Sequence, residues 1–191
     1  MFIKKNEYYI YVENLRSINL NFIKTRDKFN LIYRNNSEEE KIDTLVKFIK
    51  LCKKKNIKFY IANDISLALK TGANGIYLSS HNKKLLNKNY NKGKKFEIIG
   101  SAHNFKEIHI KKKQGCRKVI LSRLFETDYK NKKSFYGTTK FNLLTKNNDN
   151  YFIALGGIKS NNLMRLKILN CQGIALLSEV KKKPAIIRRL F

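Results

Sequence analysis

Acidic side chains are scarce in this chain. Against 41 Lys and Arg it carries only 14 Asp and Glu, for a formal net charge of +27 over 191 residues. Proline is nearly absent. Pro184 is the single one, and no Pro/Ser/Gly-rich linker marks a boundary, so residues 1–191 are expected to form one domain. Cys52, Cys116 and Cys171 are few, odd in number and widely spaced. That excludes a disulfide framework and a CxxC metal knuckle, suits a reducing compartment, and leaves each thiol to pack as a small apolar group. No apolar run reaches membrane-spanning length, and the opening Met1-Phe-Ile-Lys-Lys-Asn-Glu7 lacks the apolar core of a signal peptide. A soluble cytoplasmic protein without membrane contact is the expectation. Disorder is excluded by a hydrophobic fraction of 42% rich in Phe and Tyr.

The positive charge invites a nucleic-acid reading. The basic residues, however, run from Lys4 to Arg189 in many short clusters, and Asn is abundant beside them. Lys53–Lys55 and Lys111–Lys113 fall near the ends of expected helices, where cations suit the helix dipole. A solvated coat therefore ranks ahead of nucleic-acid binding, and its field would still attract small phosphorylated ligands.

Short apolar, β-branched and aromatic runs recur along the chain, beginning with Tyr8–Val12, Asn30–Arg34, Phe59–Ala62 and Gly75–Ser79. Phe96–Ile99, Lys118–Ser122, Tyr151–Ile158 and Gly173–Ser178 follow. Helical patterns separate most of them. The firmest has Ser37 and Glu40 as a capping box ahead of Ile42, Leu45, Val46 and Ile49. Others span Ile65–Lys70 with Gly72 as its stop, Asn104–Gln114 with Gly115 as its stop, Phe141–Lys146, and Ser160–Leu169. Asn14–Lys28 predicts an abbreviated helix, the segment after Ser79 a short one, and Pro184 the start of a last one. Eight strand–helix units repeating every ~24 residues point to an α/β fold, a compact (β/α)8 TIM barrel. At 191 residues it is lean beside the typical ~250. An open doubly wound sheet is the alternative, but its Gly-rich loop would follow the first strand, where Glu13-Asn14-Leu15 stands.

Barrel chemistry belongs at the C-terminal strand ends. Here those hold Arg34, Asn63-Asp64, Ser79-Ser80, Ser101 with His103, Thr127 to Lys130, Gly156-Gly157 and Ser178. Gly156 and Gly157 leave bare backbone, and with Leu177-Ser178 they offer amides and a hydroxyl to a phosphate. The plainer readings are a tight strand-to-helix turn for the glycines and an N-cap for Ser178. Glu126–Lys140 is a lid candidate in which Lys130, more than Lys132, would clamp a phosphate. Asp64 suits a divalent cation, yet an N-cap is the better reading of it.

In order and spacing, the chain resembles the thiamine phosphate synthase/TenI family of barrels. The matching stretches are Ile61-Ala-Asn-Asp64, Ala68–Leu78, Ile99-Gly-Ser-Ala-His-Asn104, Phe125–Lys130, Ala154-Leu-Gly-Gly-Ile158 and Gly173–Ser178. The resemblance implies coupling of hydroxymethylpyrimidine diphosphate to a thiazole phosphate, with Mg²⁺ and release of diphosphate. It also implies roles. Arg34, Thr127 and Lys130 would meet the diphosphate; Asp64 would ligate Mg²⁺ with Asn63 beside it; Ser101 would contact the pyrimidine; Gly157 and Ser178 would hold the thiazole phosphate. In this family's pattern Ile32 and Asn36 replace a Gln and a Lys, and Asn82 falls where a second metal-binding Asp is usual. Tyr77 replaces a His, Ser122-Arg123 a Gly-Pro pair, and Glu126 a proline. The diphosphate and metal half is thus eroded, while the phosphate-binding end is kept. The TenI branch implies a second role, thiazole tautomerisation with His103 as proton shuttle; a packing or capping role is its plain alternative. A non-catalytic, regulatory phosphate-binding barrel is the third reading, and a homo-oligomer is left open. His81 and His109 read as surface residues.

Overall fold

The computed structural model describes residues 7–23, 28–34, 40–86, 96–127, 134–146 and 151–176. Eight parallel strands close on themselves in sequence order, each bonded to its chain neighbours, with the eighth returning to the first. They are β1 Glu7–Val12, β2 Phe29–Tyr33, β3 Lys58–Ala62, β4 Gly75–Leu78, β5 Glu97–Ala102, β6 Lys118–Ser122, β7 Tyr151–Leu155 and β8 Gly173–Leu176. Closure removes every sheet edge, and burial on both faces explains why the strands read as unbroken apolar runs. The open-sheet alternative is excluded.

Side chains alternate in and out with a period of two. The inward set, Tyr9, Tyr11, Ile32, Tyr60, Tyr77, Ile99, Ile120, Ile153 and Ala175, fills the barrel as a cluster of its own. Each buried isoleucine there contributes about 1.5–3 kcal/mol. The outward set packs under the helices with Leu45, Ile49 and Cys52 of α1 (Ile42–Lys54), Ala68 of α2 (Ile65–Lys70), Ile108 of α3 (Phe105–Lys113) and Phe141 of α4 (Gly137–Lys146). All three cysteines are buried, as expected, and none is in a disulfide; burial pushes the Cys52 and Cys116 thiols up to about 12.

The N-terminal end of the barrel is closed by charge. Glu7, Lys58, Glu97 and Lys118 open their strands with inward parity. Lys118 sits 2.8 Å from Glu7 and 3.1 Å from Glu97, and Lys58 pairs with Glu97. The hydroxyls of Tyr9 and Tyr60 donate to Glu7 (2.6 Å) and Glu97 (2.9 Å). With each charge partnered, the plug avoids the penalty of an isolated buried ion.

Several local expectations change. The helix expected after a Ser37–Glu40 capping box begins later, at Ile42; its N-cap Lys41 makes no side-chain bond, Glu40 lies before the helix, and Ser37 is outside the described residues. Between β1 and β2 stand two single-turn 3-10 helices, Leu15–Ser17 and Leu20–Phe22, where Asn14 and Asn19 side chains accept amides two residues on. The connection after β7 is a 3-10 helix, Leu163–Ile168, in place of an α-helix. Residues 81–86 hold no helix; the rest of the segment before β5, where a short helix is expected, and the region of Pro184 lie outside the described residues. Gly72 and Gly115 do follow the last helical turns with positive φ, +67° and +80°. Among the described residues no helix is long and apolar enough to cross a membrane.

Candidate functional site

The C-terminal rim is built strand by strand. Arg34 follows β2 with the parity of Asn30 and Ile32; its amide donates to the Val12 carbonyl at 2.9 Å and its side chain is exposed. After β3, Asn63 takes a left-handed φ of +59°, which asparagine tolerates. Its Oδ1 accepts the Ser79 amide at 2.9 Å and Asn82 Nδ2 at 3.3 Å, so the loops after β3 and β4 are tied through Asn63 and Asn82. Asp64 is the N-cap of α2, with Oδ1 accepting the Leu67 amide at 2.8 Å, and it is exposed.

On β5 the buried Ser101 Oγ accepts the Tyr77 hydroxyl at 2.9 Å, and Tyr77 meets the Tyr11 ring edge-on at 5.5 Å. Ser101 therefore keeps its own proton to donate. His103 is exposed. Its Nδ1 lies 3.0 Å from the Ser122 carbonyl and 2.9 Å from Ser122 Oγ, its amide donates to Glu107 at 2.7 Å, and its carbonyl accepts the Tyr136 hydroxyl. A carbonyl can only accept, so the contact with Ser122 O fits a neutral ring protonated at Nδ1, with the lone pair on Nε2, and Ser122 Oγ then accepts as well.

Residues 123–127 run beside the loop after β7. Leu124 N donates to Leu155 O at 2.9 Å, Phe125 N to Gly156 O at 3.0 Å, and Arg123 Nη1 meets Thr127 Oγ1 at 3.4 Å. Gly156 and Gly157 have φ of +102° and +64°. A Cβ on Gly157 would sit 2.3 Å from the Glu126 carbonyl oxygen and 2.6 Å from Phe125 backbone, so this glycine is required by the neighbouring strand end itself. Its carbonyl accepts Asn162 Nδ2 at 2.7 Å. Among the described residues no protein acceptor meets the amides of Gly156 and Gly157.

A profile described as thiamine monophosphate synthase matches residues 3–180. The chain belongs to that family. It is 30% identical over 151 residues to the thiamine-phosphate synthase of Prochlorococcus marinus (strain AS9601), covering 78% of this chain and 42% of that protein. The chain thus spans less than half the length of this relative. The thiamine-phosphate synthase of Clostridioides difficile (strain 630) is 24% identical over 197 residues, covering 98% of this chain and 87% of that one. Among solved structures, thiamine phosphate pyrophosphorylase from Pyrococcus furiosus superposes with a TM-score of 0.74 at 16% identity, over 97% of this chain and 92% of that one. N-(5'-phosphoribosyl)anthranilate isomerase from the same organism reaches 0.65 at 13%, over 96% of both chains, so these similarities speak to the fold alone.

Within this family's rim, the structure brings Asn63 to Asn82, Ser101 to Tyr77, His103 to Ser122, and Gly157 to the backbone before Thr127. Lys130, Lys132, Leu177, Ser178 and Asn36 lie outside the described residues. Sequence reasoning missed Ser122 as the partner of His103 and Tyr77 as the partner of Ser101. Strand parity was the available signal, since Tyr77, Ser101 and Ser122 share the inward register of Ile99 and Ile120. His81 and His109 are exposed, as expected.

The fit to Mg²⁺ is partial. Asp64 keeps one carboxylate oxygen beyond its cap bond, whereas the Oδ1 atoms of Asn63 and Asn82 are engaged by protein amides. Among the described residues no group of three His, Cys, Asp or Glu gathers. One carboxylate suits Mg²⁺ where water and a substrate diphosphate complete the shell.

Proposed function

We propose that the chain is a thiamine-phosphate synthase of reduced machinery, joining hydroxymethylpyrimidine diphosphate to thiazole phosphate. The observation that carries this is the loop after β7: two left-handed glycines stand at the barrel rim, where barrels bind phosphate, and no acceptor among the described residues meets their amides. Family membership supplies the pairing of substrates.

In the reaction, the bond between the pyrimidine methylene and its oxygen breaks, and the electron pair leaves with diphosphate. The thiazole nitrogen then donates its lone pair to the cation-like methylene and a C–N bond forms. This chain's residues orient and stabilise charge. Ser101, fixed by Tyr77, donates to a pyrimidine nitrogen; Gly156, Gly157 and Ser178, next to Leu177, hold the thiazole phosphate. Arg34, Thr127 and Lys130 have the role of stabilising the departing diphosphate. Mg²⁺, held by Asp64 on the side of Asn63 and Asn82, would supply charge neutralisation for the diphosphate.

Incubating the pure protein with both precursors and Mg²⁺ is expected to yield thiamine phosphate, read by chromatography. Absence of product together with calorimetric binding of thiazole phosphate would leave a binding barrel. A second reading, a thiazole tautomerase, is favoured by the free Nε2 of His103, which can exchange a carbon-bound proton. Thiazole phosphate incubated in heavy water would then take up deuterium in the wild type and not in His103→Ala.

A further inference from the structure

Lys111 was expected in the solvated coat at the end of α3, and the structure buries it completely, at 0% exposure. Its stem crosses Gly100 of β5, where a Cβ would come within 2.7 Å of Lys111 Cδ and 2.9 Å of Cys116 Sγ. The ammonium ends on three neutral oxygens: the carbonyls of Ser79 and Asn82, each at 2.7 Å, and Gln114 Oε1 at 2.9 Å. Gln114, also buried, donates from Nε2 to the carbonyls of Asn82 (3.1 Å) and Lys84 (2.7 Å). Burial holds the Lys111 ammonium below lysine's ordinary range, against the pull of Cys116 and Glu107.

A buried ammonium without a carboxylate among its bonds is costly unless its protons are satisfied. Here all three protons have acceptors, and two of the three acceptors belong to one loop, residues 79–84. That loop carries Asn82, offers its Ser79 amide to Asn63, and has no helix of its own to hold it. We propose that Lys111 and Gln114 are positioning residues, a clamp from α3 that fixes the loop after β4 and so places Asn82 and Asn63 at the metal and diphosphate side of the site. The proposal rests on the synthase reading for what the loop serves. The clamp itself rests on geometry alone.

Lys111→Met keeps the stem and removes the ammonium; Gln114→Leu removes the second arm and serves if Lys111→Met does not fold. The expected result has two parts. Amide hydrogen exchange in residues 79–84 accelerates about tenfold or more while β5 and β6 keep their protection. The Mg²⁺ concentration for half-maximal thiamine phosphate formation rises about tenfold, with KM for thiazole phosphate unchanged. Exchange in 79–84 identical to wild type overturns the clamp, whatever the activity. Faster exchange with an unaltered Mg²⁺ requirement overturns the positioning role. A wild-type protein that forms no thiamine phosphate defeats the functional reading, and the exchange comparison still decides the clamp.

Discussion

Gly157 and Gly137 both sit at positive φ, +64° and +67°, yet their surroundings differ. Around Gly137 an added Cβ meets nothing within 4 Å, whereas at Gly157 it meets backbone at 2.3 Å. Gly137→Ala is expected to cost about 1 kcal/mol from backbone strain alone. Gly157→Ala should cost at least ~2–3 kcal/mol, because two loops must separate, and it should weaken thiazole phosphate binding as well. Urea unfolding and calorimetry would check both, and equal costs would contradict the close approach. Asp64 holds two roles that one pair of variants separates. Asp64→Ala should lose about 1 kcal/mol with its N-cap. Asp64→Asn keeps a capping oxygen, so stability should be retained while Mg²⁺-dependent turnover falls. Stability lost in both variants would show that the negative charge itself holds the helix.

At the scale of elements, the plug at the N-terminal barrel end governs pH response. Burial pushes Glu97 up, but the hydrogen bond from Lys58, the charge of Lys118 and the Tyr60 hydroxyl together outweigh it and leave it below the ordinary value of 4.5. Burial likewise pushes Lys118 down, and its bond and charge contacts with Glu7 and Glu97 carry it above the ordinary 10.5. A carboxylate lowered on folding contributes stability above its unfolded value, and that contribution is lost as pH falls through the folded value. A lysine raised on folding contributes below its unfolded value and loses it as pH rises through the folded one. Stability from the plug is therefore flat between about pH 5 and 10 and falls on either side. In Glu97→Gln the decline below pH 4.5 should be shallower than in wild type, as urea midpoints across an acid series would show. Parallel curves would remove Glu97 from the acid response.

For the whole molecule, a net charge of +27 repels itself. Raising salt from about 20 to 300 mM should raise the melting temperature, since the Debye length is already ~10 Å at 0.1 M. Thermal scans check this; a falling midpoint would point to ion pairs outweighing repulsion.

The barrel was legible because a strand buried on both faces must be apolar and short, and eight such runs at even spacing admit few other closures. The glycine stops at Gly72 and Gly115 were legible for the same local reason, a backbone that needs positive φ. The N-cap reading of Asp64 also came from local chemistry, a short acceptor one residue ahead of a helix. Tertiary structure decided what local pattern cannot contain. Lys111 reads as one more surface lysine until Gly100, on a neighbouring strand, opens the space that buries it. Ser122 acquires meaning only when the fold sets it beside His103, nineteen residues back, and Gly157 only when the Phe125–Glu126 backbone closes over it. Apolar periodicity is written along the chain. The partners of a buried polar group lie across it, and only the closed barrel brings them together.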